Sequence, residues 1–190
     1  LLIGIITTCL APGAEGQAAP PKSLREAVLE PFVDYFKRMG AFEILAFILL
    51  YKIGDVMANS MTTPFILKMG FTKTELAAVV KTFGIFATIA GGLVGGILLI
   101  RLGLCKGLWI FGILQAVSTL SFSALASVGA YHSVLAATVT FENLTSGMGT
   151  AAFTAFMASL CNKRFTATQY ALLSSLMGIP RVIVASPTGF

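Results

Sequence analysis

The chain has 190 residues, 56% of them hydrophobic and 11% charged, with a mean hydropathy of +0.89. An ordinary globular domain is about 45–50% apolar and roughly 25% charged, so this composition excludes a soluble domain. The net charge of +5 does not indicate nucleic acid as a partner, because the 13 lysines and arginines are scattered and form no basic run.

In hydrocarbon every backbone polar group must be satisfied within the protein, which leaves helices or a closed barrel. Apolar runs of about 20 residues, rather than alternating segments of about 10, select helices. The expected fold class is therefore all-α, a polytopic transmembrane helix bundle with membrane lipid as its surroundings.

Residues 1–10 are largely apolar and read as the end of a transmembrane helix. The chain starts at Leu1 without methionine and ends at Phe190 inside an apolar run, which reads as a fragment. A lipoprotein signal is only loosely suggested by Ile6-Thr7-Thr8-Cys9, since no basic segment precedes it. Residues 11–40 read as a cytoplasmic linker. Its first part is rich in Pro, Gly and Ala. Ser23 and Glu26 then have capping-box spacing, and Leu24, Val28, Phe32 and Phe36 recur every fourth residue. This pattern predicts an amphipathic helix along the membrane surface, carrying Arg25, Lys37 and Arg38 and broken near Pro31.

Five apolar spans follow, at 41–65, 76–100, 107–128, 133–160 and 169–190. Their connections are short, so consecutive spans run in opposite directions. With the linker inside, the cytoplasmic segments hold Lys22, Arg25, Lys37, Arg38, Arg101, Lys106, Lys163 and Arg164, against Lys68 and Lys73 outside. Small residues form ladders that permit close helix packing: Gly84, Thr88, Gly92 and Gly96 in the second span, and Asn143, Gly147, Ala151, Ala155 and Ser159 in the fourth.

Lys52, Asp55, Lys81, Glu142 and Arg181 fall within these spans, where a charge costs on the order of 2.5–3.5 kcal/mol at a helix centre. Lys52 and Asp55 are three apart and share a helix face, which Asn59 and Thr62 extend. Glu142, Ser146, Thr150 and Thr154 form a second polar line, with Lys81 or Arg181 as candidate counter-charges for Glu142. A buried carboxylate with no close cation can exchange protons, as a proton-coupled carrier requires; a permanent structural ion pair is the alternative for Glu142 and for Lys52 with Asp55. Arg181 follows Pro180, which bends a helix, and its guanidinium suits either a substrate carboxylate or a structural contact.

Catalysis is not expected. The single histidine, His132, lies in a short loop, and the three cysteines, Cys9, Cys105 and Cys161, form no CxxC. The pairs Gly91-Gly92 and Gly95-Gly96 lack the Lys-Ser/Thr of a phosphate loop. Neither a metal nor a cofactor is expected. A buried-charge bundle of this kind favours a carrier over a membrane-embedded enzyme or a structural anchor.

Several runs carry a family resemblance. These are Tyr51-Lys52-Ile53-Gly54-Asp55, Met61-Thr62-Thr63-Pro64-Phe65, Phe141-Glu142-Asn143-Leu144, the stretch from Gly147 to Phe153, and that from Leu160 to Ser174. From Leu24 to Thr188 the chain resembles the second half of the AmpG-type muropeptide permeases, a family of the major facilitator superfamily. The superfamily's loop signature is matched at Gly96, Leu98, Arg101 and Gly103, but Ile100 replaces its acid, and Leu104 and Cys105 its basic pair. Pro180 is a further departure.

The resemblance implies a major facilitator-like half-bundle whose missing N-terminal half belongs to the same transporter. It implies proton-driven import of N-acetylglucosaminyl-anhydro-N-acetylmuramyl peptides across the bacterial inner membrane for wall recycling. A facilitator for acetyl-CoA or a sugar is the alternative. Lys52, Asn59, Thr62, Asn143 and Arg181 would then meet the substrate, and Asp55, Lys81 and Glu142 would couple protons or form ion pairs.

Overall fold

The computed structural model describes residues 24–162 and 166–185, with backbone alone for residues 24–28, 181, 184 and 185. Among the described residues the fold is entirely helical. The helices are α1 (Leu24–Phe36), α2 (Ala41–Lys68), α3 (Lys73–Leu102), α4 (Leu104–Val128), α5 (His132–Leu160), α6 (Thr166–Leu176) and α7 (Gly178–Ala185). The expected end of a preceding span at 1–10, the linker at 11–22, the Ser23–Glu26 cap, Lys163 and Arg164 lie outside this description.

The segments expected at 41–65, 76–100, 107–128 and 133–160 are continuous helices α2 to α5, of 28, 30, 25 and 29 residues. At about 1.5 Å per residue each exceeds a hydrocarbon core about 30 Å thick. Helices α3 and α4 are apolar enough as well as long enough to cross a membrane. In α2 and α5 the polar residues lower the hydropathy, and several of those side chains turn inward. The outer faces of α3 and α4 are apolar, with Leu93, Ile97, Ile100, Ile113 and Leu120 all exposed.

The connections are tight. Gly103 alone separates α3 from α4, with φ 77°, a left-handed value that glycine adopts without a Cβ clash. At the other end Thr72 caps α3 in a reciprocal box with Glu75. The same carboxylate reaches His132 Nε2 at 2.8 Å, so the N-termini of α3 and α5 are fastened together.

The dominant contact is α3 against α5. A Cβ built on Gly91 would fall 2.0 Å from the Leu144 carbonyl oxygen, one on Gly95 2.8 Å from the Met148 Cα, and one on Gly147 2.3 Å from the Thr88 carbonyl oxygen. The two backbones therefore touch. The expected ladder of Gly84, Thr88, Gly92 and Gly96 is half corrected: Gly92 and Gly96 face open space, and Gly91 and Gly95 make the approach. The reason is helical phase, because 3.6 residues per turn carries a contact face from 84 and 88 to 91 and 95 rather than along strict fours.

Helix α3 also contains a π-turn at Val80–Gly84. Two apolar cores sit at opposite ends of the bundle. One includes Tyr35, Ile48, Phe111, Phe153, Met157 and Leu173, the other Ile66, Phe71, Phe122, Leu125, Leu135 and Val139.

The span expected at 169–190 is instead two short helices meeting at Met177, with residues 186–190 outside the description. Pro180 has no N–H, and its ring would clash with the carbonyl of residue 176 in a continuous helix, so α6 stops there and α7 restarts. Pro31 does the opposite of what was expected and lies inside an unbroken α1. Pro31 is the eighth of thirteen residues, so it forfeits a mid-helix hydrogen bond. It is fully buried and its carbonyl accepts from Gln169 Nε2 at 3.1 Å, and this tertiary contact holds the helix through it.

Helix α1 is tied to the α5–α6 corner. Asp34 accepts from Gln169 at 2.9 Å, from Arg38 at 3.0 Å and from Asn162 at 3.3 Å, and Arg38 also donates to the Leu160 carbonyl. The Gln169 hydrogen bond leads in holding the Asp34 carboxyl below its ordinary range.

Gly91 and Gly96 give opposite expectations. Gly91→Ala should destabilise the detergent-solubilised full-length protein by about 1–3 kcal/mol, the usual cost of overpacking. Gly96→Ala should be neutral or stabilising by up to about 1 kcal/mol, because alanine is the better helix former. Thermal unfolding of the two variants checks the phase of the α3–α5 contact.

Candidate functional site

Helix α2 stands off α4 and α5 and touches them through aromatic rings at its two ends. Tyr51 stacks on Phe153 with centroids 4.8 Å apart and planes 8° from parallel, and Phe47 meets Phe156 edge-on at 5.4 Å. Towards the other end Phe65 meets Phe122 at 6.1 Å. Between these contacts lies a cavity of about 470 Å³, within the roughly 300–1,000 Å³ of small-molecule sites. Its walls include Lys52 and Asp55 of α2, Gln115 and Thr119 of α4, and Ser146 and Thr150 of α5.

Lys52 and Asp55 form an ion pair one helical turn apart, with side chains 24% and 22% exposed. Asn59 lies a further turn along and donates to the Asp55 carbonyl at 2.8 Å and to its carboxylate at 3.0 Å. The charge on this wall is thus compensated within α2 itself. Thr62 spends its hydroxyl on the Ala58 carbonyl at 2.9 Å. Asn59 and Thr62 do not line the cavity.

Glu142 is buried, 8% exposed. Its closest polar side chain is the Asn143 amide at 3.5 Å, a marginal contact. Among the described residues no lysine or arginine makes an ion pair with it. Lys81, one expected partner, is exposed in the π-turn of α3; the side chain of Arg181, the other, lies outside the description. Asn143 turns to α3, accepting from Thr88 Oγ1 at 3.1 Å and donating to the Val139 carbonyl at 2.8 Å. Its amide fills the space above Gly84, where a Cβ would come within 3.3 Å of it.

The structure therefore gathers Lys52 and Asp55 at one cavity and leaves Asn59, Thr62, Lys81, Glu142 and Asn143 outside its walls. Of the polar line on α5, Ser146 and Thr150 face the cavity, Glu142 is buried beside it in sequence, and Thr154 is exposed. Gln115 and Thr119 were not singled out from the sequence. Their spacing of four in an apolar span was the available signal, the same one that marked Glu142 and Ser146. A buried hydrogen bond from Thr145 to Ser118, 2.8 Å, joins α5 to α4 beneath this wall.

An ion pair of this kind has a testable signature. Lys52→Met or Asp55→Asn alone strands the surviving partner, whereas the double variant leaves neither charge unpaired. Thermal unfolding should show each single variant less stable than the double, with a coupling energy of about 1–3 kcal/mol. Additive losses would mean that the two groups act separately.

No protein-family model matches the sequence. The chain is 46% identical over 187 residues to the anhydromuropeptide permease of Escherichia coli strain K12, a match covering 98% of this chain and 38% of that protein. It is 42% identical over 148 residues to the putative transporter AmpG 4 of Rickettsia conorii, covering 78% of this chain and 36% of the relative. A third relative, the putative transporter AmpG 3 of Rickettsia prowazekii, is 37% identical over 146 residues, covering 77% and 35%. The chain thus spans well under half the length of these relatives. Over the stretch it covers, it belongs to the anhydromuropeptide permease family.

Proposed function

We propose that this chain forms one half-bundle of a proton-coupled carrier that brings anhydro-muropeptides from the periplasm into the cytoplasm for wall recycling. The observation that carries the reading is the 46% identity to an anhydromuropeptide permease along 98% of the chain. A bundle with apolar outer faces and a largely apolar cavity that has an ion pair on its wall supports it.

In this reading the protein is a multi-pass component of the bacterial inner membrane. Helices α2 to α5 cross the bilayer with Lys37, Arg101 and Lys163 on the cytoplasmic side, and the remainder of the same transporter supplies the facing half-bundle. The relatives carry the names of permeases and transporters, so no catalytic step is assigned.

The roles divide by environment. Lys52 at the cavity wall meets the cargo while its pair with Asp55 lasts or opens, and Asn59 steadies Asp55. Thr62 and Arg181 are assigned to contact with the cargo as well. Asn143 keeps α3 in place beside Glu142. Glu142, a buried carboxylate without a counter-cation among the described residues, takes up and releases the coupling proton, and Lys81 is its candidate partner in another state of the cycle.

Uptake of labelled anhydro-muropeptide tests this reading in cells that lack their own permease and express the full-length protein. Wild type should accumulate the label when a pH gradient is imposed. Glu142→Gln should reduce gradient-driven uptake at least about tenfold while leaving exchange at equal pH largely intact, because only the proton-carrying group is lost. Uptake by Glu142→Gln that keeps its full pH dependence per folded molecule would assign Glu142 to structure, and no uptake by wild type would reject the carrier reading.

A further inference from the structure

A second cavity lies back to back with the one beside Lys52 and Asp55. Helices α2 and α4 are not packed along their length, and the gap between them at the Gly103 end holds about 480 Å³. Phe47 of α2, Phe156 of α5 and Leu108, Trp109 and Ile113 of α4 line it, and its surface is almost wholly apolar. It follows α4 for the eleven steps from Cys105 to Ala116, about 16 Å at about 1.5 Å per residue. That is about half of a hydrocarbon core roughly 30 Å thick, the depth of one leaflet.

The mouth of this groove is cationic. Arg101 and Lys106 flank the Gly103 turn, both are exposed, and neither makes an ion pair among the described residues. Lys106 is one residue from Cys105 and three from Trp109, both in the lining, which places it at the end of the groove. The acids of this end are occupied otherwise. Glu43, in the first turn of α2, folds over its own helix start, where a Cβ on Gly40 would lie 3.7 Å from its carboxylate, and Asp34 is taken by Arg38 and Gln169. Trp109 is 76% exposed at the rim, and tryptophan is the residue that suits the boundary between headgroups and hydrocarbon.

An apolar slot one leaflet deep, with unpaired cations at its outer end, selects a ligand that joins an acyl chain to an anionic head. A sugar or peptide would lose its hydration against Phe47, Leu108 and Ile113 with no hydrogen bonds in return. A further apolar helix of the same transporter would fill the slot and leave the cations unmatched.

We propose that the α2–α4 groove binds an anionic phospholipid of the inner leaflet, with one acyl chain along Leu108, Trp109 and Ile113 and the phosphate held by Lys106 and Arg101. Bound there, the lipid holds α2 off α4 and backs the wall of Tyr51, Gly112 and Ala116 that the two cavities share. The inference rests on the membrane placement proposed above and not on the identity of the cargo.

The test uses the full-length transporter with Trp109 as its sole tryptophan, reconstituted in phosphatidylcholine vesicles to which brominated phosphatidylglycerol or brominated phosphatidylcholine is added. Bromine quenches tryptophan on contact, so quenching against mole fraction gives the relative affinity of the two lipids at the groove. Phosphatidylglycerol should be preferred about fivefold or more in wild type, and about twofold or less when Arg101→Gln and Lys106→Gln are combined. Lys68→Gln with Lys73→Gln, at the other end of the bundle, should leave the preference unchanged. Equal quenching by the two lipids in wild type would mean ordinary bilayer contact and would overturn the site. No quenching by either would show another helix of the transporter seated in the groove, and would overturn it as well.

Leu93→Trp combined with Trp109→Phe separates this failure from that of the membrane placement. Leu93 is on the exposed outer face of α3, so its replacement should be quenched by both lipids; loss of that signal too would overturn the membrane placement, and this assignment with it. A second measurement keeps the native tryptophans. Native mass spectrometry of the detergent-solubilised protein should show phosphatidylglycerol retained over phosphatidylcholine in wild type and no such preference in the Arg101 and Lys106 double variant. A preference kept by the double variant would overturn the role of the two cations.

Discussion

The backbone contact between α3 and α5 is the constraint on which the rest of the structure depends. Gly91 and Gly95 on one helix and Gly147 on the other bring main chain against main chain, closer than any side chain would permit. Helix α4 follows α3 after a single glycine, so it too is drawn against α5. The three helices form a dense slab, and α2 is left to close over it. Large aromatic residues on α2 and its neighbours then act as spacers, and the space they hold open becomes the cavity beside Lys52 and Asp55. Small residues set one distance and aromatic residues set the other.

Polarity is sorted by the same geometry. Helices α3 and α4 present apolar outer faces and are long and apolar enough to cross a membrane. Helices α2 and α5 carry the interior charges, and α4 and α5 share buried hydroxyls at Ser118 and Thr145. In a medium without water each such group needs a partner, and several find one within a turn of their own helix: Lys52 with Asp55, Asn59 with Asp55, Thr62 with a carbonyl. Glu142 has only a marginal contact with the Asn143 amide, and the side-chain oxygen of Gln115 has no partner among the described residues.

The sequence was most legible where a single long-range pattern dominates. Runs of about 20 apolar residues located α2 to α5 to within a few residues, because hydrophobic burial along a whole helix outweighs local detail. The pairing of Lys52 with Asp55 was legible from a spacing of three. Phase was harder: small residues every fourth position suggested Gly92 and Gly96, and the true contact face drifts to Gly91 and Gly95. Proline acted differently at two sites: Pro31 is held inside α1 by burial and by the Gln169 hydrogen bond to its carbonyl, whereas Pro180 falls in the first turn of α7, where a helix can start but a longer one cannot continue. For Asn143 the α3–α5 approach brings Thr88 and Gly84 against the side chain, a tertiary fact that helical spacing does not encode. Gln115 escaped notice because an uncharged amide among apolar residues is a weak signal until its missing partner is seen.

The central claim is that the cavity between α2, α4 and α5 opens to water while the outer faces of α3 and α4 meet lipid. Spin labels placed singly at Ala58, Thr119 and Ser146, and at Leu93, Ile97 and Leu120, would test it in the full-length protein reconstituted in bilayers. The first three should relax strongly with a water-soluble nickel reagent and weakly with oxygen, and the second three should show the reverse. Oxygen-dominated relaxation at Thr119 and Ser146, with nickel access at Leu93 and Ile97, would contradict the arrangement.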